Sequence, residues 1–513
     1  MRFVLLFVAL SFALASPASA KWRKVESDHF VIYADKSEDD LREFATQLEQ
    51  FHSAMAYVRG IDFEKPSPSN RVTIYVAGSY QNVRRLFGDQ NAAIGGFYRP
   101  IAGFSHAVVP DIRQGRGGIS DELNTLLHEY AHHFQFATTR ERLPRWLTEG
   151  YAEFFAAAEF ERDGSMTIGR PNLMRAEEIV NGRYVPVEQL LDIDLYIAES
   201  TGMYDSYYGR SWLLLHYLTF SREREGQLMR YWNAVASGEK SLAAAERIFG
   251  DIQDLEDDMR AYGNGGRMAA ITVLPENLAT GTITVRELSE GEADAMWTMM
   301  DVRTGVGDDR RPEVLEKARA LAARYPDDAG VLTVLAEIEY DSENDAEAIA
   351  AASRARQLDP TRAAAYVYEG RARFRQAGEV EGADAQAAYD AALKPFLALN
   401  QIEPDHPLPL RYYYRSFVEQ GRTPPEAARH ALERAAQLAP FDHSLWVEAA
   451  RMQAMEGKIA LARSSLAPAA ASAHPTPATK QANFYLDALA SAEEGVPFAL
   501  PNWEPEESEE NAG

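Results

Sequence analysis

The sequence predicts an α+β N-terminal unit of two lobes, followed by an all-α solenoid of helical repeats. Three observations lead there. Between Lys21 and Arg116, β-branched and aromatic runs alternate with segments of helical period. From Glu149 to Tyr262 the period is helical. After Ser289 the chain turns Ala-rich, and prolines recur at positions 326, 360, 404 and 440.

The first 20 residues carry Arg2, an apolar run from Phe3 to Leu14, and Ala18-Ser19-Ala20. That pattern is a secretory signal peptide with a small-residue cleavage site, and it predicts a mature chain that starts at Lys21 and is periplasmic or extracellular. The apolar run is too short to span a bilayer, and no other stretch reaches eighteen apolar residues. The chain holds no cysteine, which excludes disulfide staples, thiolate catalysis and Cys-ligated zinc. Its formal net charge of −25, from 52 basic and 77 acidic residues, argues against nucleic acid and anionic membrane surfaces as partners.

In residues 21–148, the mixed lobe, His29–Ala34 and Arg71–Val76 read as strands, with a helical period over Glu38–Val58 between them. Ser79–Phe87 reads as a short helix. Gly96-Phe97-Tyr98 and His106–Val109 read as a hairpin that closes the sheet. Gln114–Gly118 is a Gly-rich lead-in, or a flap; it lacks the ending of a phosphate loop.

Next comes the most informative segment, His128-Glu129-Tyr130-Ala131-His132. Ser120 caps its helix, acidic residues fill the first turn, and Leu123, Leu126, Leu127, Tyr130, Ala131 and Phe134 form an apolar stripe. Residues four apart lie on one helix face, so His128 and His132 aim two imidazoles at one point. Glu129 projects about a third of a turn away and reaches a water on the same metal. Leu143–Trp146 turns into a second helix, where Glu149, Ala152, Glu153 and Ala156 share a face. Two carboxylates in that apolar segment are costly unless paired or metal-bound. A catalytic zinc takes three protein ligands and leaves one open position; His128, His132 and Glu149 supply the three.

HEYAH followed by WLTEG resembles the gluzincin zinc metallopeptidases, and most closely the bacterial peptidase MA-like proteins, over roughly Lys21 to Tyr262. The resemblance implies one Zn2+ per chain on His128, His132 and Glu149, Glu129 as general base, and Glu153 as a carboxylate that orients a ligand histidine. It implies a cleft between the mixed lobe and a helical lobe over 149–262, and a sheet edge over Ala93–Pro110 that takes an extended substrate as an added strand. It also implies an oxyanion-stabilising tyrosine at the start of a helix. Tyr208, in Tyr208-Gly209-Arg210-Ser211, is the match, with Tyr207 the alternate; both also read as aromatics that pack a helix start. The chain has no GxMEN-type segment to hold a free amine, so the resemblance points to an endopeptidase rather than an aminopeptidase. His133 reads as a capping or surface residue, His106 as a strand residue, and His216 as a satisfied core histidine.

Residues 263–289 read as a connector in which Ile271–Leu274 and Thr282–Arg286 form a small strand pair. Over 290–473, the proline spacings of 34, 44 and 36 resemble tetratricopeptide repeats, with an insertion near Gly378–Ala383. Residues 474–496 form a terminal helix, and 497–513 an acidic disordered tail. The expected activity is hydrolysis of peptide bonds in a peptide or protein substrate. The repeats serve the substrate or a protein partner. The alternative expectation is an interaction scaffold with a vestigial peptidase unit.

Overall fold

The computed structural model describes residues 21–62, 64–92, 94–112, 120–266, 268–472 and 476–504. The signal-peptide reading of 1–20, the flap reading of 114–118 and most of the acidic tail lie outside them. Among the described residues, no helix is long and apolar enough to cross a membrane.

Six strands form the main sheet: β1 (Arg23–Glu26), β2 (Phe30–Ala34), β3 (Val72–Val76), β4 (Phe97–Arg99), β5 (His106–Val109) and β9 (Thr284–Glu287). Their order across it is β4-β5-β3-β2-β1-β9. β2, β3 and β5 run parallel, whereas β1, β9 and β4 pair antiparallel. Helix α1 (Glu38–Arg59) makes the crossover from β2 to β3; Ser37 caps its start and Gly60 ends it in the left-handed region. α2 (Tyr80–Phe87) follows β3.

The period of two along the strands sorts the sheet's faces. Phe30, Ile32, Ala34, Val72, Ile74 and Val76 enter the core that also holds Leu41, Phe44 and Leu48 of α1. Tyr75, Phe97 and Val108, on the other face, pack against Met296 and Met300. Those two methionines belong to Glu290–Thr304, the first helix of the C-terminal array. The sheet is therefore buried on both sides, once by its own crossover helix and once by the array.

The core continues into the helices that carry the site: α3 (Asp121–Thr138), α4 (Arg145–Ala156), α5 (Leu173–Asn181), α6 (Val187–Leu191), α7 (Ile193–Glu199) and α8 (Tyr207–Phe220). One buried cluster joins Phe30 and Leu48 to Leu126, Trp146, Leu190 and Leu214. Two features differ from the expected helical run and connector. β6 (Glu159–Phe160) and β7 (Met166–Ile168) form a hairpin after α4. β8 (Ile271–Val273) joins that hairpin while β9 joins the main sheet, so the two connector strands do not pair with each other. Short strands find partners by position in the fold, which sequence adjacency does not reveal.

Beyond Ser289, helices follow one another from Glu290–Thr304 to Pro477–Leu489, in a solenoid-like array. Each of Pro326, Pro360, Pro404 and Pro440 stands just past a helix end and just before the helices that start at Ala329, Ala363, Pro407 and His443. Proline lacks the N–H that would continue the preceding helix, so it sets the repeat edge. The extra residues of the long unit include a short 3-10 turn, Gly382–Asp384. The array is fastened to the N-terminal unit: the backbone N–H and hydroxyl of Ser69 each donate to Glu403 at 2.8 Å, and Ala102 N donates to Asp442 at 2.9 Å.

Candidate metal centre

α3 and α4 cross so that His128, His132 and Glu149 meet. Ser120 accepts from Leu123 N at the start of α3, and the apolar stripe of that helix is buried as expected. Two glycines set the helix spacing. A Cβ at Gly150 would meet the Ser211 carbonyl oxygen of α8 at 2.6 Å, and one at Gly209 would meet the Arg175 carbonyl oxygen of α5 at 2.6 Å. Their missing side chains let α4 and α5 each lie against α8, which brings Tyr207 and Tyr208 to the cluster.

His132 Nε2 lies 3.1 Å from His128 Nε2. Glu149 Oε2 lies 3.5 Å from His128 Nε2 and 3.3 Å from His132 Nε2. Two donors each about 2.0–2.1 Å from a tetrahedral zinc stand about 3.4 Å apart. All three separations fall close to that value, so the donor set fits the ion by distance as well as by chemistry. The three residues are 7%, 2% and 0% exposed, so their shared point is screened from bulk water.

The support around these three side chains is equally ordered. Glu153, one turn beyond Glu149 on α4, places Oε1 2.9 Å from His128 Nδ1. That contact turns Nε2 of the same ring toward the shared point. Arg175 of α5 holds Glu153 Oε1 at 2.7 Å and also pairs with Glu178. Burial pulls the His128 imidazolium down, but Glu153 and Glu149 outweigh it and hold that proton up to about 10 in the absence of an ion. For Glu153, burial pushes the carboxyl up, and His128 with Arg175 holds it down to about 2. Each shift shows a charge stabilised by its neighbour.

Tyr208 lies beside the cluster, its ring centroid 6.2 Å from that of His128. The Arg175 guanidinium stands 5.0 Å from the Tyr208 ring centroid. Burial and Glu149 push the Tyr208 phenol up to about 12, with Arg145 and Arg175 opposing them. Tyr207 is buried too, its ring 4.5 Å from Tyr196 with Arg145 over it, and burial with Glu149 pushes its phenol up. Glu129 is half-buried on α3, next to His128.

The other histidines part from the cluster. His133 is not a surface or capping residue: it is buried, 2.5 Å from the Tyr98 hydroxyl, with its ring against Phe441 of the array. Burial depresses it to about 3. His106 is buried on β5 between Tyr75 and Phe104. His216 is a satisfied core histidine, between the Ala269 carbonyl at 3.0 Å and the Tyr262 hydroxyl at 2.7 Å. β4 is an edge strand beside α3, and Tyr98 ties the two together.

A family described as "Protein of unknown function (DUF1570)" matches residues 122–241. That interval contains every residue of the cluster, from His128 to Tyr208. No curated protein matches the chain. Among solved structures, a thermophilic TPR protein of Thermus thermophilus is similar at 17% identity, over 36% of this chain and 91% of that one, with a TM-score of 0.29.

Arg175 and Arg145 were missed in the sequence. Arg145 carries a readable signal, because it precedes Glu149 by one helical turn and its Nε stands 3.9 Å from Glu149 Oε1. Arg175 carries none, because the β6–β7 hairpin separates it from Glu153.

Proposed function

We propose that this chain is an exported zinc metallopeptidase of the HExxH…E, gluzincin type, acting on peptide bonds of a peptide or protein substrate. The observation that supports it best is the convergence of His128 Nε2, His132 Nε2 and Glu149 Oε2 at separations of 3.1–3.5 Å. Zinc held there supplies a Lewis acid and a water that ionises near neutral pH.

The chain's own residues perform the remaining work. Glu129 sits beside His128 and takes the water's proton, then returns it to the leaving amine. Tyr208 donates its phenolic hydrogen bond to the carbonyl oxygen as negative charge develops. Its proton stays in place at neutral pH, because burial holds the phenol high. Glu153 and Arg175 keep the His128 ring in one orientation. The edge of β4, which no other strand among the described residues pairs, offers main-chain groups to an extended substrate. The helical array, read as tetratricopeptide-like, recruits substrate or a partner protein.

The deciding experiment is Glu129→Gln. The variant should keep about one zinc per chain and lose cleavage of a peptide library by about 10²-fold or more. A variant that cleaves as fast as wild type refutes this mechanism. The burial of the cluster favours one second reading, an interaction scaffold whose peptidase unit is vestigial. Metal analysis separates the two: a folded, purified chain that takes up no zinc is the scaffold.

A further inference from the structure

A cavity of about 710 Å³ lies away from the metal centre, between the outer face of the main sheet and the array. Tyr33, Thr73 and Tyr75 form its floor, and its roof comes from the first helix of the array, Glu290–Thr304, and from the helices that begin at Ala329, Ala363 and Pro407. Its volume lies in the range of about 300–1,000 Å³ typical of small-molecule sites.

Six arginines line it: Arg71, Arg99 and Arg286 from the sheet side, and Arg303, Arg362 and Arg371 from the array. Arg71 pairs with Glu26, Arg286 with Glu292, and Arg362 with Glu292 and Asp359. Arg303 and Arg371 flank one aromatic ring, with guanidinium carbons 5.8 Å and 5.5 Å from the Tyr368 centroid. Arg303 is balanced by Glu337 at 2.7 Å. Arg99 and Arg371 make no such contact pair, although Asp341 and Glu337 act on Arg371 through space. Among the described residues, no carboxylate pairs with Arg99 or Arg371. Arg99 donates only to the Thr304 carbonyl, at 2.5 Å, and Arg371 Nε is buried with no hydrogen-bond partner.

Three of the nearby acids are engaged elsewhere. Glu337 accepts from Tyr368 as well as pairing with Arg303, Glu403 holds Ser69, and Glu26 holds Arg71. Asp341 lines the same cavity and forms no salt bridge among the described residues, but its carboxylate stands within electrostatic reach of Arg371. Arg99 is largely buried with no carboxylate at contact distance, and a cation so placed is costly. A guanidinium presents parallel N–H donors that match a carboxylate or phosphoryl group.

We propose that this cavity binds a small oxyanion, carboxylate or phosphoryl, held by Arg371 and Arg99 with Arg303 beside them. The inference stands apart from the peptidase reading, because no residue of the metal centre lines the cavity. Because the ligand touches both sheet and array, its binding clamps the two together.

The test is thermal unfolding of the full mature chain with inorganic phosphate or succinate, against chloride at equal ionic strength. At least one anion should raise Tm in a saturable way. Phosphate alone identifies a phosphoryl ligand, and succinate alone a carboxylate. Arg371→Gln and Arg99→Gln, each checked for native circular dichroism, should weaken that response by about tenfold or more. If Arg371→Gln does not fold, Arg99→Gln decides. No response beyond that of chloride, or a full response in the folded variant, overturns the proposal.

Discussion

Glu153 Oε1 lies 2.9 Å from Nδ1 of His128, which fixes the side of the imidazole left to face the metal centre. Both groups are buried, and Arg175 anchors the carboxylate from a third helix at 2.7 Å. The His128 ring is thus oriented by protein contacts alone.

Glu153→Gln removes the charge and keeps the shape. Partners of this kind change metal affinity by about 10–100-fold. The variant should fold and bind zinc that much more weakly by competition with a chromophoric chelator. Unchanged affinity would show that the His128 ring is held by packing alone.

Metal binding should release a proton. Without an ion, His128 holds its proton up to about 10, above the ordinary 6.5, because Glu153 and Glu149 outweigh the cost of burial. The stability this gives is complete below about 6.5 and is lost as pH rises through about 10. Glu153, depressed to about 2 from 4.5, contributes above about 4.5 and loses its contribution as pH falls through about 2. The metal-free protein therefore gains most from the pair between about pH 4.5 and 6.5. Zinc must displace the His128 proton, so apparent affinity should climb with pH through neutrality. Calorimetry at pH 7.5 in two buffers of different ionisation enthalpy should find about one proton released per ion. No release would mean that His128 is not a ligand.

Gly150→Ala tests the helix spacing. Its new Cβ would stand 2.6 Å from the Ser211 carbonyl oxygen, a backbone atom that cannot turn aside. Overpacking of this kind costs about 1–3 kcal/mol. Urea unfolding should show that loss, and the separation of α4 from α8 should weaken zinc binding with it. A variant as stable as wild type would mean that the two helices part without cost.

The cluster of His128, His132 and Glu149 was legible in the sequence because a helix converts a spacing of four into one face, and a second apolar helix leaves its carboxylates few reasons to be there. Local chemistry also revealed the cap at Ser120 and the proline edges of the array. What stayed hidden depends on distant partners. β1 and β9 are short, half-exposed strands that pair across most of the N-terminal unit. His133 looked like a surface residue because Phe441, which covers it, lies in the array. The odd-numbered face of β2 and β3 carries Tyr33, Thr73 and Tyr75, polar enough to read as solvent-facing, yet the array roofs it over.

The two adjacent tyrosines can be told apart by removing one hydroxyl at a time. Tyr208 stands by the His128 ring, while Tyr207 packs on Tyr196 under Arg145. If Tyr208 stabilises the oxyanion, Tyr208→Phe should lower kcat by about 10²-fold with zinc content and Tm little changed, since one such donor contributes about 2.7–4 kcal/mol to the transition state. Tyr207→Phe removes a buried hydroxyl, so its effect should fall on stability and leave kcat within about threefold. Matched kinetics and thermal scans of the two variants decide the assignment. A kcat loss confined to Tyr207→Phe would transfer the role to that residue.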